Sequence, residues 1–295
     1  MYDIEKITLA RSVPEAIAAL QADPKAVVIS GGSDVLIKIR EGKLAGCALV
    51  SIHDIPELMG VRMEPDGEIV IGPATTFSHV TLDPIIQKHL PALGDAVDQA
   101  GGPQLRNIGT IGGNVCNGVT SADSASTLLS LNARVELTGP EGVRQLPLEQ
   151  FYKGPGRVDL RPAEICTAIR IAKADYDGFG GHYIKYAQRN AMDIATLGCA
   201  VHVKLTAALD AVEELRLAFG VAAPTPIRCH KTEELARGRK LDAELLALVG
   251  DTAVTEVSPR TSWRASKEFR LQLVKELSKR ALKQAALNAG GDFDA

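Results

Sequence analysis

The chain lacks the residue patterns that would make it a metal or membrane protein. Its five cysteines, Cys47, Cys116, Cys166, Cys199 and Cys229, include no C-x-x-C pair and no histidine at ligand spacing, which excludes a sequence-encoded zinc or iron–sulfur site. They read as small buried thiols kept reduced. Its apolar stretches, such as Ala26 to Ile29, fall far short of the roughly 18 residues needed to cross a bilayer. Charge of one sign is also missing. With 33 Lys+Arg against 36 Asp+Glu, a net −3, nothing suggests a dedicated nucleic-acid or membrane-surface binder. Neither G-x-G-x-x-G nor G-x-x-x-x-G-K-[ST] occurs, so the Rossmann and P-loop readings fall. The N-terminus carries acids, Asp3 and Glu5, where a signal peptide carries bases, and the chain is expected to be cytoplasmic.

What is present suits an ordinary globular protein of one large domain or two smaller ones, with 45% hydrophobic and 23% charged residues over 295 positions. Ser12-Val13-Pro14-Glu15 predicts a capping box and a helix through Leu20. A β-branched run at 26–30 leads through Gly31-Gly32 into a helix beginning near Asp34. Strands are expected at 48–52 and 68–72, one helix at 83–100, and short strands at 134–137, 144–148 and 164–171. This irregular mixture predicts an α+β layout. Residues 172–182, rich in Gly and Asp, read as the seam. Beyond them, alternation at Leu197–Leu205 and Leu215–Val221 predicts two half-buried strands with His202 on the polar side, and 242–257 and 265–287 read as helices, the latter with Phe269, Leu273, Leu277 and Ala281 on one face.

Two glycine-rich constellations carry the chemistry. In Val27-Val28-Ile29-Ser30-Gly31-Gly32-Ser33-Asp34 a strand enters a Gly-Gly turn before a helix, a geometry suited to an anion because N–H groups can approach with no Cβ in the way. Residues 101–114 hold five glycines, a backbone-entropy cost that implies a main chain wrapped tightly around something or a compact buried turn. Thr110, Asn114 and nearby N–H groups supply neutral donors. Two such turns suggest a diphosphate held from both sides. Asp123 either accepts hydrogen bonds from ribose hydroxyls or caps a helix starting there. Lys185, taken alone, reads as a solvated strand-end lysine. From Arg260 to Lys283, eight bases face two acids, either a solvated helix face or a surface for an acidic partner or a dinucleotide.

The Gly31–Asp34 turn, the Gln104–Asn114 run and Asp123 resemble the flavin-binding subunits of molybdenum hydroxylases. The likeness continues through Lys185–Ala195, Leu217–Arg228 and Ser262–Arg270, the last two looking most like bacterial three-subunit xanthine dehydrogenases. It implies a two-part FAD-binding domain of the PCMH, vanillyl-alcohol oxidase type at 1–174, a linker at 175–182, and a smaller C-terminal α+β domain at 183–290 with an antiparallel sheet and helices. It also implies that residues 27–34 and 110–114 wrap the FAD diphosphate, that Asp123 contacts the ribose, and that Lys185 and Ile165 lie at the flavin. Cys166 stands where the family often has Leu. Arg189 and Asp193 fall in a loop near the flavin face, or form a surface ion pair.

With no cluster or molybdopterin signature of its own, such a chain would be one part of a relay. A molybdenum-binding large subunit would oxidise a purine, 2Fe-2S centres of a small subunit would pass electrons to FAD here, and NAD would accept them. The expected assembly is a heterotrimer or a dimer of heterotrimers. The alternatives are the flavin subunit of a hydroxylase for nicotinate, an aromatic thioester or carbon monoxide, a free-standing FAD reductase of the same fold, or a flavin-free interaction module.

Overall fold

The computed structural model describes residues 2–293. A small parallel sheet comes first. Strand β1 (Ile4–Leu9), helix α1 (Val13–Ala22), strand β2 (Val27–Ile29), helix α2 (Val35–Arg40) and strand β3 (Cys47–Ser51) form a three-stranded sheet in the order β1-β3-β2. Ser12 Oγ accepts the Glu15 N–H at 3.3 Å and the Glu15 carboxylate reaches back to the Arg11 N–H at 2.7 Å, one residue earlier than a capping box requires. Ala16 and Leu20 of α1 pack on Val50, Ile52, Ile55 and Leu58.

The chain then builds an antiparallel sheet with helices on it. Its elements are β4 (Val61–Met63), β5 (Ile69–Ile71), α3 (Phe77–Leu82), α4 (Pro84–His89), α5 (Pro91–Asp98), α6 (Pro103–Arg106), α7 (Ile111–Cys116) and α8 (Asp123–Ser130). These are followed by β6 (Arg134–Gly139), β7 (Gly142–Pro147), α9 (Leu148–Phe151), β8 (Tyr152–Gly154), β9 (Arg157–Val158) and β10 (Ile165–Ile171). The sheet order is β4-β5-β10-β6-β7. The single helix expected at 83–100 is two, broken at Leu90, whose φ of −133° and ψ of 45° leave the helical region. Pro91 is the cause, since a residue before proline is pushed out of the α conformation.

The last unit comprises β11 (Phe179–Tyr186), β12 (Leu197–Leu205), β13 (Val212–Gly220), β14 (Ile227–Arg228), α10 (His230–Ala236), α11 (Ala243–Glu256) and α12 (Lys267–Asn288). Its antiparallel sheet runs β11-β12-β13-β14. Strand β11 begins at Phe179, inside the stretch expected to be linker. The glycines there serve packing: a Cβ on Gly180 would overlap the Ala285 carbonyl and the Ala289 N–H group of α12.

One face of this sheet packs on α11 and α12. The other meets the first domain, where Tyr183 and Ala200 contact Ala96 of α5 and Ala218 joins the core around α8. Strand β12 is therefore buried on both faces. This corrects the placement of His202 on a polar side: it is 4% exposed and its Nδ1 lies 2.8 Å from Ser130 Oγ of α8. Burial, with Arg216 and Arg228 nearby, pushes its pKa down to about 3. No helix among the described residues is long and apolar enough to cross a membrane.

Candidate functional site

A cleft of about 980 Å³ is lined from β2 and the following turn, from residues 100–123, from 156–166 and from the 192–194 loop between β11 and β12. This volume lies at the upper end of ordinary ligand sites. The two glycine constellations, about 80 residues apart in sequence, are in contact here. A Cβ on Gly31 would overlap the Ile108 carbonyl oxygen, so the absence of a side chain is what lets the two segments meet. Gly32 takes a left-handed φ of 74°.

The turn after β2 is the anion-ready wall. The N–H groups of Gly31, Gly32, Ser33 and Asp34 donate to no protein acceptor, and Ser30 Oγ is buried without a partner. Val27, Val28 and Ser30 through Asp34 line the cleft; Ile29 does not. Gly31, Gly32 and Ser33 are half-buried and Asp34 is exposed, so these N–H groups are open to the cleft, and with the buried, unpaired Ser30 hydroxyl they fit the diphosphate of a dinucleotide, which would supply oxygen acceptors.

The opposite wall is built differently from the sequence expectation. The Ile111 N–H donates to Thr75 O at 3.0 Å, Gly112 to Pro73 O at 2.9 Å and Asn114 to Thr110 O at 3.0 Å. The Gly113 N–H donates the cap bond to Thr110 Oγ1 at 3.2 Å. These donors latch the segment to its own domain, because a six-residue helix start needs its N–H groups satisfied. Thr110, Gly112, Gly113 and Asn114 still line the cleft, whereas Ile111 is fully buried in the core. Gly112 is required by packing, since its Cβ would overlap Pro73. Around a Cβ on Gly113 the one neighbour within 4 Å is Thr110 Oγ1, at 2.9 Å. Its missing side chain leaves cleft rather than protein.

Asp123 opens α8 but caps nothing. Its Oδ1 accepts the Tyr183 hydroxyl at 3.0 Å and its Oδ2 the Lys185 ammonium at 3.0 Å. Burial raises its carboxyl above the ordinary range, against the opposing pull of Lys185 and Tyr183. Lys185 is not a solvated strand-end residue. Its ammonium also donates to Gln99 O at 2.8 Å, and it stands behind Asp123 rather than in the cleft wall.

Ile165 and Cys166 both line the cleft although they are neighbours on one strand. A bulge between Cys166 and Ala168 breaks the β10–β6 register there, re-aiming side chains as bulges do. Contact with the Cys116 thiol and burial push the Cys166 thiol well above its usual value. The adjacent Glu164 is held by Arg144 through two bonds of 2.8 Å, which lower its carboxyl despite partial burial.

One cation lines the cleft among the described residues: Lys38, whose ammonium donates to Asn117 Oδ1 at 2.9 Å. Sequence reasoning missed it, although it stands one helical turn after Asp34 in the helix that leaves the Gly-Gly turn. Met192, Asp193 and Ile194 close one end. Arg189 pairs with Asp193 at 3.6 Å and stays exposed, outside the wall.

The chain is similar to known flavoprotein subunits over nearly its whole length. Residues 3–173 match the family model described as the FAD binding domain in molybdopterin dehydrogenase, and residues 182–285 match the CO dehydrogenase flavoprotein C-terminal domain. The xanthine dehydrogenase FAD-binding subunit of Escherichia coli O157:H7 is 43% identical over 99% of both chains. The carbon monoxide dehydrogenase medium chain of Hydrogenophaga pseudoflava is 31% identical, covering 93% of this chain and 94% of that one. A solved structure of that organism's carbon monoxide dehydrogenase superposes with a TM-score of 0.92 at 29% identity, covering 98% of this chain and 99% of the other.

Proposed function

This chain belongs to the FAD-binding subunits of the molybdenum hydroxylase family, and on that footing we propose that it is the electron-transfer subunit of an NAD-linked xanthine dehydrogenase. A molybdenum-binding large subunit oxidises a purine and a small subunit with 2Fe-2S centres carries the electrons here. Bound FAD supplies a centre that takes electrons singly and passes them to NAD as hydride. The observation that carries the reading is the set of four N–H groups without acceptors, Gly31 to Asp34, facing Gly113 across the cleft.

The residues of this chain bind and orient. The Gly31–Asp34 turn holds the diphosphate, with Lys38 adding a positive charge and Thr110, Gly112, Gly113 and Asn114 forming the opposite wall. Asp123, kept in place by Tyr183 and Lys185, accepts from ribose hydroxyls. Lys185 acts through Asp123, holding its carboxylate in place from behind the cleft wall. Ile165 and Cys166 shape the apolar floor. Val27, Val28, Ile29 and Ile111 serve by backing the two turns.

Purine rather than nicotinate or carbon monoxide as substrate rests on the higher identity to the xanthine dehydrogenase relative, because substrate is selected in a different polypeptide. Purifying the chain with its partner subunits, recording the visible spectrum and adding NADH without oxygen tests the proposal. Flavin absorbance bleached by NADH is the expected result. Flavin inert to NADH would reject the NAD link, and absence of flavin would reject the site.

A further inference from the structure

Two of the five thiols lie side by side in the cleft wall. Cys116 ends α7 and is half-buried, and Cys166, the second residue of β10, is 6% exposed. Both line the cleft, on a helix and a strand that pack against each other. Cys116 sits against the core cluster that contains Cys166, and the two thiols are in contact. The Cys166 S–H donates to Ala168 O at 3.7 Å, beside the bulge of the strand, which leaves its sulfur lone pairs for Cys116.

A third group completes the cluster. The Tyr152 hydroxyl is buried without a hydrogen-bond partner, and burial, with both thiols nearby, pushes its pKa up. Buried tyrosine hydroxyls ordinarily find a partner. Here the neighbours are sulfurs, which are weak acceptors, so the hydroxyl is a donor with no oxygen to serve. Cys199 and Cys229 give a contrast within the same chain. They too are neighbours, but both are 0% exposed in the core between the last sheet and its helices, and neither lines the cleft.

We propose that Cys116 and Cys166 form a modification site in the cleft wall, a dithiol that hydrogen peroxide oxidises to a reversible disulfide. The Cys116 thiolate attacks one peroxide oxygen, the O–O bond breaks, and water leaves as Cys116 becomes a sulfenic acid. The Tyr152 hydroxyl donates to the new oxygen. The Cys166 sulfur then attacks the Cys116 sulfur, the S–O bond breaks, and a second water leaves with the Cys166 proton. Two thiols thus lose two electrons and two protons, and one peroxide becomes two waters. Exposure sets the order of events: Cys116 is the half-buried member, while contact with it and burial keep the Cys166 thiol protonated. The disulfide ties the last turn of α7 to β10, and with it the Thr110–Asn114 wall to the strand that bears Ile165. The site consists of this chain's own thiols, so it goes beyond the proposed function without resting on it.

The test treats the full chain with excess hydrogen peroxide, alkylates the remaining thiols after denaturation and maps the peptides by mass spectrometry. Two of the five thiols are expected to escape alkylation, in one linked peptide pair that carries Cys116 and Cys166, and dithiothreitol should return both. Cys166→Ser should instead carry Cys116 on to the sulfinic acid, and Cys116→Ser should leave the other four thiols alkylated. Tyr152→Phe should slow closure without lowering the melting temperature, since its hydroxyl has no hydrogen bond to lose. Alkylation of all five thiols in the wild type, a Cys116 sulfinic acid beside a free Cys166, or closure of Cys199 on Cys229 in its place would each overturn the proposal. Saturating FAD should slow closure, because both thiols line the cleft. A Cys116–Cys166 disulfide that forms equally fast with and without FAD would keep the dithiol and refute the flavin's place in the cleft, so the two readings fail separately.

Discussion

Replacing Gly113 with Val separates what the cleft needs from what the fold needs. The added Cβ meets only Thr110 Oγ1, at 2.9 Å, so the expected loss to the fold is the Thr110 cap, about 1 kcal/mol. Valine and glycine differ by only about 0.4 kcal/mol in helix propensity, in valine's favour. The net cost of about 0.6 kcal/mol lowers the melting temperature by roughly 1–2 °C. In the cleft, by contrast, the branched side chain occupies the space through which an anionic ligand approaches the main chain. Losing one charge-assisted hydrogen bond, worth about 1.5–3 kcal/mol, weakens flavin binding roughly 10- to 100-fold. Gly31→Ala is the control, because its Cβ overlaps the Ile108 carbonyl and forces the two segments apart, an overpacking cost of about 1–3 kcal/mol or more. Flavin-to-protein ratio after gel filtration and thermal melts read both effects. The expected pattern is a folded, colourless Gly113→Val and a destabilised Gly31→Ala. A Gly113→Val protein with wild-type flavin content would refute the placement of the diphosphate.

Other perturbations follow from the buried charges. Because burial raises Asp123 above its ordinary 3.8, the native state holds a proton that the unfolded chain has released just above that pH. Its contribution to stability therefore falls as pH rises through this window. Lys185→Met removes the opposing cation and extends the window upward, so its cost in urea melts, about 3 kcal/mol, should be larger at pH 7 than at pH 4; equal costs would be contrary. His202, held near 3 in the native state against an ordinary 6.5, must gain a proton on unfolding below pH 6.5. It should remove about 2 kcal/mol of stability between pH 7 and pH 5, a slope that His202→Gln should abolish. Arg270→Met strands three carbonyls and should cost about 3 kcal/mol or more in denaturant melts. Arg270→Lys should recover less than half of that loss, because an ammonium cannot reproduce the fork.

Much was legible in local pattern. The β-branched run before Gly31-Gly32, the alternation of 197–205 and the glycine density of 101–114 are signals carried by a few neighbouring residues, and they located β2, β12 and the cleft wall. For Asp123 the local reading left a ribose acceptor and a helix cap both open, and the resemblance added the loop that carries Arg189 and Asp193. Prediction failed where a distant element set the environment. Residues 179–182 read as linker because Gly180 is small, yet it is small because α12 crosses there. His202 read as polar-facing because alternation assumes one wet face, and α8 covers the second.

Thus composition and local spacing alone determined that this is an α+β protein without a metal-ligand pattern, and which two glycine turns matter, since conformational permission and periodicity are properties of short segments. Tertiary structure decided the roles. It left the N–H groups of 31–34 free while those of 111, 112 and 114 were spent on latches, and it placed Lys185 behind Asp123 rather than in the cleft. It also brought Lys38 to the wall. Hydrogen-bond pairing and burial are set by what arrives from elsewhere in the chain, and no window of sequence contains that.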